Sequence, residues 1–495
     1  MGICTYIYQN PFKSWLKLTR GMKVSGQDHP AFAKKPVSLI LEEAECKKGL
    51  RRALGPIDLI SIGIGGIIGA GIFVIIGVGA QNAGPAIIIS LILGGLACTF
   101  TALCYSELAA MIPASGCIYT YSYATLGELV AWVIGWDMVM VYILTASTVA
   151  KGFSGYLVGL LRVASISLPE WMVKDPWNGG LIDLPAALII ALLTVIVMAG
   201  IKESVKVTKA MVAIKIAVVL LVIGAGIFYI DPGNWMPFAP FGLPGILSVT
   251  ATMFFAFPGF DIVASAAEES KNPQRDLPLG ILGSMSICTL IYVAMGIVIT
   301  GMVPLGRINT ISPVASAFID VGLHQISVII SAGALAGFIS VIMCNLLIQT
   351  RLCMAIARDG LLPAWAAHVH PTLGTPVRAT VVSGFLALVG SAFFPIGKLA
   401  DTTVIGYLLS FIIVCGGVLL LRKHQPNLAR PFKCPLVPWI PLAGLVSCLG
   451  IMLQLPGSTW LGMVVWTGLG LLIYFSYGWC NSRLRSLKRP EGDIS

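Results

Sequence analysis

The stretch Gly63-Ile-Gly-Gly-Ile-Ile-Gly-Ala-Gly71 places five glycines in nine residues, inside the first long apolar segment of the chain. Glycine costs about 1 kcal/mol relative to alanine in a helix interior, so a helix is weakest at this point. A second unusual stretch, Phe254-Phe-Ala-Phe-Pro-Gly-Phe260, lies in the sixth apolar segment. Pro258 has no N–H, which leaves the Phe254 carbonyl without its helical donor. Both stretches read as interruptions within long helices.

The surrounding composition excludes a soluble globular protein. Apolar residues make up 57% of the 495 and charged residues only 11%, against about 25% charged in soluble domains. The apolar residues collect in segments near the roughly 20 residues that cross a bilayer as a helix. They run at about 57–79, 86–111, 128–160, 184–200, 210–230, 246–268, 279–303, 326–349, 379–396, 401–421, 436–455 and 460–480. Barrel strands would alternate in short runs, and these runs are continuous. The expected fold is an all-α integral membrane protein with 12 transmembrane helices. The twelve cysteines fall singly, mostly in apolar segments, and none has C-x-x-C spacing. They read as small packing residues. The first fifty residues are polar and basic, so no cleavable signal peptide is expected.

A net charge of +10 invites a nucleic-acid partner, but its distribution fits a membrane. With the N-terminus in the cytoplasm, 26 of the 32 Lys and Arg residues fall on that side. Arg162, Lys174, Arg307 and Lys398 face outward, and Lys151 and Lys215 fall within spans. The positive-inside rule produces this bias, and changing the helix count by one would scramble it. Both termini are therefore expected in the cytoplasm. Residues 1–52 form a basic tail and 53–482 the membrane unit, with 483–495 as a second cytoplasmic tail. Within the first tail, Pro11 to Leu18 carries Trp15 among lysines. It reads either as an amphipathic stretch on the anionic leaflet or as a mobile tail.

The two interruptions occupy spans one and six, equivalent places in halves at about 57–230 and 246–421, with 436–480 supplying the last two spans. Paired Gly/Pro-broken segments point to a 5+5 inverted-repeat transporter whose substrate site lies at the breaks. The competing account of either stretch alone is close packing of small residues between helices. A dinucleotide fingerprint does not fit, because the glycines do not follow G-x-G-x-x-G and no strand precedes them.

An amino acid suits such a site. A half-helix N-terminus offers free N–H groups and a positive dipole end to a carboxylate, and Gly69, Ala70 and Gly71 would supply them. Unwound carbonyls at Ile67, Phe255 and Pro258, beside Ala256, would accept from an ammonium. This recognition uses main chain, and glycine admits close approach. Phe255, Val341, Met343 and Asn345 are candidate pocket residues for the substrate side chain, although an Asn between helices also serves as interhelical glue.

Several motifs together resemble the amino acid–polyamine–organocation superfamily, near the cationic amino acid transporter branch and its bacterial relatives. They are Gly65-Gly-Ile-Ile-Gly-Ala-Gly-Ile-Phe73, Cys104-Tyr-Ser-Glu-Leu108, Phe257-Pro-Gly-Phe-Asp261, Ala267-Glu-Glu-Ser-Lys-Asn-Pro-Gln-Arg-Asp-Leu-Pro278, Ala357-Arg-Asp-Gly-Leu-Leu-Pro363 and Arg430-Pro-Phe432. The likeness covers about 55–480. It implies the leucine-transporter-type fold and amino-acid substrates.

Ionisable residues in spans are costly and are functional candidates. The resemblance implies that the Lys215 ammonium stands where sodium-coupled relatives of the fold bind sodium, bridging spans one, five and eight. Burial that disfavours its charge would make it a proton carrier; the alternative is snorkelling to the cytoplasmic face. Asp261 either lines the cavity or caps a half-helix. Glu107 is expected to pair with a basic loop, the charged loop at 268–276 to gate or brace the cytoplasmic side, and Lys151 to snorkel. One departure from the resemblance is Val141, where bacterial relatives often carry a glutamate before the tyrosine of span three. A coupling role for that acid does not carry over, and the mostly apolar pocket leans towards neutral amino acids.

The leading expectation is proton-coupled amino-acid transport. Uncoupled exchange or facilitation, and a non-transporting amino-acid sensor, stand as alternatives. An enzyme is not expected, since no H-E-x-x-H, nucleophile elbow or paired catalytic acids occur in the spans. No cofactor is expected beyond the proton as coupling ion. The expected partners are an L-amino acid and the lipid bilayer, without nucleic acid, and the chain acts as a monomer or beside a small membrane subunit.

Overall fold

The apolar runs fold as helices because a backbone in hydrocarbon must satisfy its own N–H and C=O groups. The computed structural model describes residues 30–40, 54–114, 116–199, 205–370 and 375–486. Among these there is no strand, only isolated bridges at Leu54–Ser270 and Val173–Asp183. The stretch Pro11 to Leu18 and residues 487–495 lie outside the described residues.

The helices, in chain order, are α1 (Pro56–Ile67), α2 (Ile76–Ala83), α3 (Ile87–Met111), α4 (Cys117–Thr125), α5 (Glu128–Val163), α6 (Leu184–Met198), α7 (Val205–Gly226), α8 (Gly242–Phe254) and α9 (Asp261–Ser265). They continue as α10 (Pro273–Met302), α11 (Pro313–Asp320), α12 (His324–Arg358), α13 (Val377–Phe393), α14 (Ile396–His424), α15 (Trp439–Met452) and α16 (Gly457–Ile473). Among the described residues, seven helical stretches are long and apolar enough to cross a membrane, and five more apolar helices are of 10–17 residues. Two of those shorter helices are α1 and α8, which stop at the two interruptions.

The interior is built on two long helices, α5 of 36 residues and α12 of 35, which pack along each other. α10 packs on α1 and α3, and α14 on α5 and α15. Leu188, Leu192 and Val195 of α6 and Leu461, Val464 and Val465 of α16 are exposed. Apolar faces of this extent have no place in water, and they suit the hydrocarbon of a bilayer.

At the Glu128 end of α5, two buried acids are paired with arginines. Glu107 takes Arg422 at 2.7 Å, Arg430 at 3.3 Å and the Cys434 N–H at 2.7 Å, so the expected pairing with a basic loop is present. Glu128 accepts from Tyr123, Tyr474 and Ser482 and pairs with Arg485 at 2.9 Å. Residues 30–40, within the expected tail, pack against this end. Lys35 donates to Asp359 at 2.8 Å, and the Glu128 N–H bonds the Ala33 carbonyl at 3.1 Å. The loop after α9 braces α1 by two main-chain bonds, Leu54 N–H to Glu269 and Lys271 N–H to Leu54.

At the opposite end Lys151 does not snorkel. It is buried, with Asp175 at 2.8 Å and Asp183 at 3.3 Å. Two acids from the loop before α6 supply the negative charge that a snorkelling lysine would seek in headgroups.

Candidate functional site

The Gly-rich stretch does break the first span. α1 ends at Ile67, Ile68 turns to extended backbone (φ −72°, ψ 104°), and helix resumes at Ala70 through a π-helical turn, Gly71–Ile75. The wider turn releases the Phe73 carbonyl, which accepts the Tyr156 hydroxyl at 2.7 Å. A helix that starts at Ala70 leaves its first N–H groups without intrahelical acceptors. Gly69, Ala70 and Gly71 stand there.

The second break runs between Phe254 and Asp261. The Phe254 carbonyl is not orphaned by Pro258, as the sequence led us to expect: it accepts from the Phe257 N–H at 3.1 Å. The last turn of α8 tightens to i→i+3 spacing, with Phe255 bonding Thr252 and Ala256 bonding Met253. Gly259 then adopts φ +126°, a region that side chains rarely enter.

The two breaks lie against each other. Gly71 closes on Ala256 so tightly that a methyl group there would collide with the Ala256 backbone. A methyl on Gly259 would sit 2.7 Å from the Gly66 carbonyl. Gly69 faces Val341 of α12, one of the candidate pocket residues. A tyrosine that the sequence reading missed joins the two breaks: the fully buried Tyr292 of α10 has its hydroxyl 2.9 Å from the Ile67 carbonyl and 3.0 Å from that of Ala256. Its signal was a lone phenol in an apolar run, and a buried Tyr hydroxyl needs a partner.

Lys215 is fully buried. Its ammonium donates to the Gly65 carbonyl at 2.8 Å and to Ser340 Oγ at 3.2 Å. One side chain of α7 thus ties the end of α1 to α12, the three elements that the family resemblance implied, and it does not snorkel. Asp261 opens α9 and is 2% exposed. Tyr142 of α5 donates to its Oδ2 at 2.6 Å, while Oδ1 has no hydrogen-bond partner among the described residues. A cleft lined by Cys117, Met138, Tyr142, Ser265 and Arg351 leads to this pair. Asn345 is buried, and its amide returns to the Val341 carbonyl of its own helix at 2.8 Å. The structure therefore brings together Ile67, Gly69, Ala70, Gly71, Ala256 and Lys215. It sets Asp261 at the Tyr142 side, and Phe255 and Pro258 within the second break.

The arrangement offers main-chain donors and acceptors in an apolar interior, one ammonium and one acid. No group of three or more His, Cys, Asp or Glu among the described residues is placed to hold a metal ion.

The sequence pattern of the amino acid permease family matches residues 54–477. The chain is 44% identical over 449 residues to the methylthioribose transporter of Bacillus subtilis, covering 90% of this chain and 97% of that one. It is 42% identical to the branched-chain amino acid permease BcaP of the same organism, over 92% of this chain and 98% of that protein. It is 40% identical to the chloroplastic cationic amino acid transporter 9 of Arabidopsis thaliana, over 76% and 67% respectively. A Gly-broken first span, a Pro-broken partner and this extent of identity leave one assignment: the chain belongs to the amino acid permease family, whose members are membrane transporters and not enzymes.

Proposed function

We propose that the protein carries neutral L-amino acids across the cytoplasmic membrane as a secondary, proton-coupled transporter working by alternating access. The observation that carries this reading is the packing of two broken helices on each other, with Ile67 and Gly69–Gly71 at one break and Phe255 and Pro258 at the other. A zwitterion's carboxylate fits the half-helix N-terminus, and its ammonium fits the carbonyls. Ala256, Asp261 and Asn345 complete the site, and Lys215 is the proton-coupling group. Val141 and the apolar surroundings favour a neutral side chain, as the name of the branched-chain relative also suggests.

The architecture that goes with this function is twelve spans in a 5+5 inverted repeat, 57–230 and 246–421, followed by 436–480. The tails 1–52 and 483–495 lie in the cytoplasm. The proton is the coupling ion, and the working unit is the monomer, alone or with a small membrane subunit.

The test is uptake by the purified protein in liposomes, with and without an inward proton gradient. Labelled leucine, arginine and methylthioribose are compared. Leucine accumulation that depends on the gradient is expected. Uptake indifferent to the gradient sinks the coupling, arginine uptake sinks the neutral preference, and uptake of methylthioribose alone sinks the amino-acid substrate.

A further inference from the structure

The cleft that reaches the Tyr142–Asp261 pair is walled by the turn into α4 and by three helices. α5 contributes Met138 and Tyr142, α9 Ser265, and α12 Ile348, Arg351 and Leu352. Arg351 is exposed, whereas Tyr142 and Asp261 are each 2% exposed. Asp261 stands behind Tyr142, whose hydroxyl it accepts at 2.6 Å, and one turn of α9 before Ser265. The cleft thus runs from a guanidinium at its mouth to a buried acid at its floor.

Both charges are incompletely used. The Arg351 guanidinium enters no ion pair or hydrogen bond among the described residues. Asp261 Oδ1 has no hydrogen-bond partner among them, while Oδ2 takes Tyr142. The other charges of this end are engaged. Asp359, about two turns beyond Arg351 on α12, takes Lys35 and Tyr119. Glu107 and Glu128 have arginines of their own.

A guanidinium receives a carboxylate through two parallel N–H donors, and a carboxylate oxygen receives an ammonium. Opposite charges that share a cleft without bonding each other are complementary to a molecule that carries both. Between them Met138, Ile348 and Leu352 offer apolar surface, which suits an aliphatic side chain and no further charge.

We propose that the cleft is a second binding site, for a zwitterionic α-amino acid, with its carboxylate on Arg351 and its ammonium on Asp261 Oδ1. It differs in kind from the site at the breaks, because recognition here is by side-chain charge rather than by main chain. Asp261 is common to the two, so one molecule occupies them in turn. The cleft is the station facing the Glu128 end, where Asp359 closes α12. The proposal rests on the amino-acid reading above and adds the step by which substrate reaches or leaves the breaks.

Membrane vesicles of the two orientations separate the faces of the protein, and the KM for labelled leucine is read in each. Wild type and Arg351→Gln are compared. The variant is expected to raise the KM about tenfold, the loss of one charge-assisted hydrogen bond, in vesicles that present the Glu128 end and not in the others. An unchanged KM, an equal rise in both orientations or a rise confined to the other one overturns the proposal and leaves the amino-acid reading intact. Wild type that takes up leucine in neither orientation removes that reading itself. If the variant does not fold, phenylglyoxal labelling of the unaltered protein decides. Leucine is expected to shield Arg351 from the reagent, and leucinol, which lacks the carboxylate, is not. Equal labelling with and without leucine, or equal shielding by both compounds, overturns the proposal.

Discussion

The Lys215 ammonium lies 2.8 Å from the carbonyl oxygen of Gly65, so a side chain of α7 closes on the last turn of α1 before its break. Lys215→Met keeps the length of the apolar stem and removes the donor. The carbonyl then loses a buried partner, which costs on the order of 1–3 kcal/mol. Gradient-driven accumulation of leucine is expected to disappear, as measured in proteoliposomes. Accumulation that survives assigns the coupling proton elsewhere.

Tyr292→Phe removes only the oxygen that reaches Ile67 and Ala256. The ring keeps its edge contact with Phe257 at 5.4 Å, so packing is retained. Loss of the bond frees the two breaks to shift relative to each other. The KM for leucine is expected to rise roughly tenfold, equivalent to about 1.4 kcal/mol of binding, with a smaller effect on the maximal rate. An unchanged KM would show that the hydroxyl does not hold the site.

Gly259→Ala tests the second break. The backbone at φ +126° is strained for alanine, and the methyl would press on the Gly66 carbonyl at 2.7 Å. Strain in such regions costs of order 1–3 kcal/mol before the clash is counted. A lower melting temperature and loss of leucine binding are expected. Full activity in this variant would mean that the breaks do not need to touch.

The pair around Lys151 carries a pH dependence. Burial pushes the Asp175 carboxyl up, but hydrogen bonds from Lys151 and Asn178 more than offset this and hold it below the usual carboxylate range. Burial dominates at Asp183 and raises it despite Lys151 and Ser154. Asp175 thus contributes stability above the ordinary value of about 3.9, and loses it as pH falls through its depressed one. Asp183 has the opposite sign: its contribution is complete below that ordinary value and fades as pH rises through the elevated one. Asp175→Asn should therefore lower the melting temperature at neutral pH and leave it nearly unchanged in strong acid. An equal decrease at both would exclude the ionic account.

Reading the sequence located both helix breaks because their cause is backbone chemistry that residue type records directly: glycine at 63–71, proline at 258. The same holds for the all-helical, apolar character of the described residues. Lys215 was legible as costly, and the structure supplies its two partners. Tyr292, Ser340 and the Tyr142–Asp261 bond were not legible, since each depends on a partner in another helix far along the chain. Lys151 was misread for the same reason, its acids being in the following loop. Asp137 of α5, buried against Gly406 of α14 with no hydrogen-bond partner among the described residues, left no motif to read.

The Tyr292 hydroxyl has a final consequence, one of counting. It carries a single hydrogen and stands within reach of two carbonyls, one from each break. At any instant it can serve one of them, and the other goes without the bond that tyrosine would give. The two breaks thus compete for one hydrogen, and whichever loses is the one open to a donor from outside. In the proposed site, a substrate ammonium would donate to whichever carbonyl the hydroxyl is not serving, so the competition itself would leave an acceptor for it.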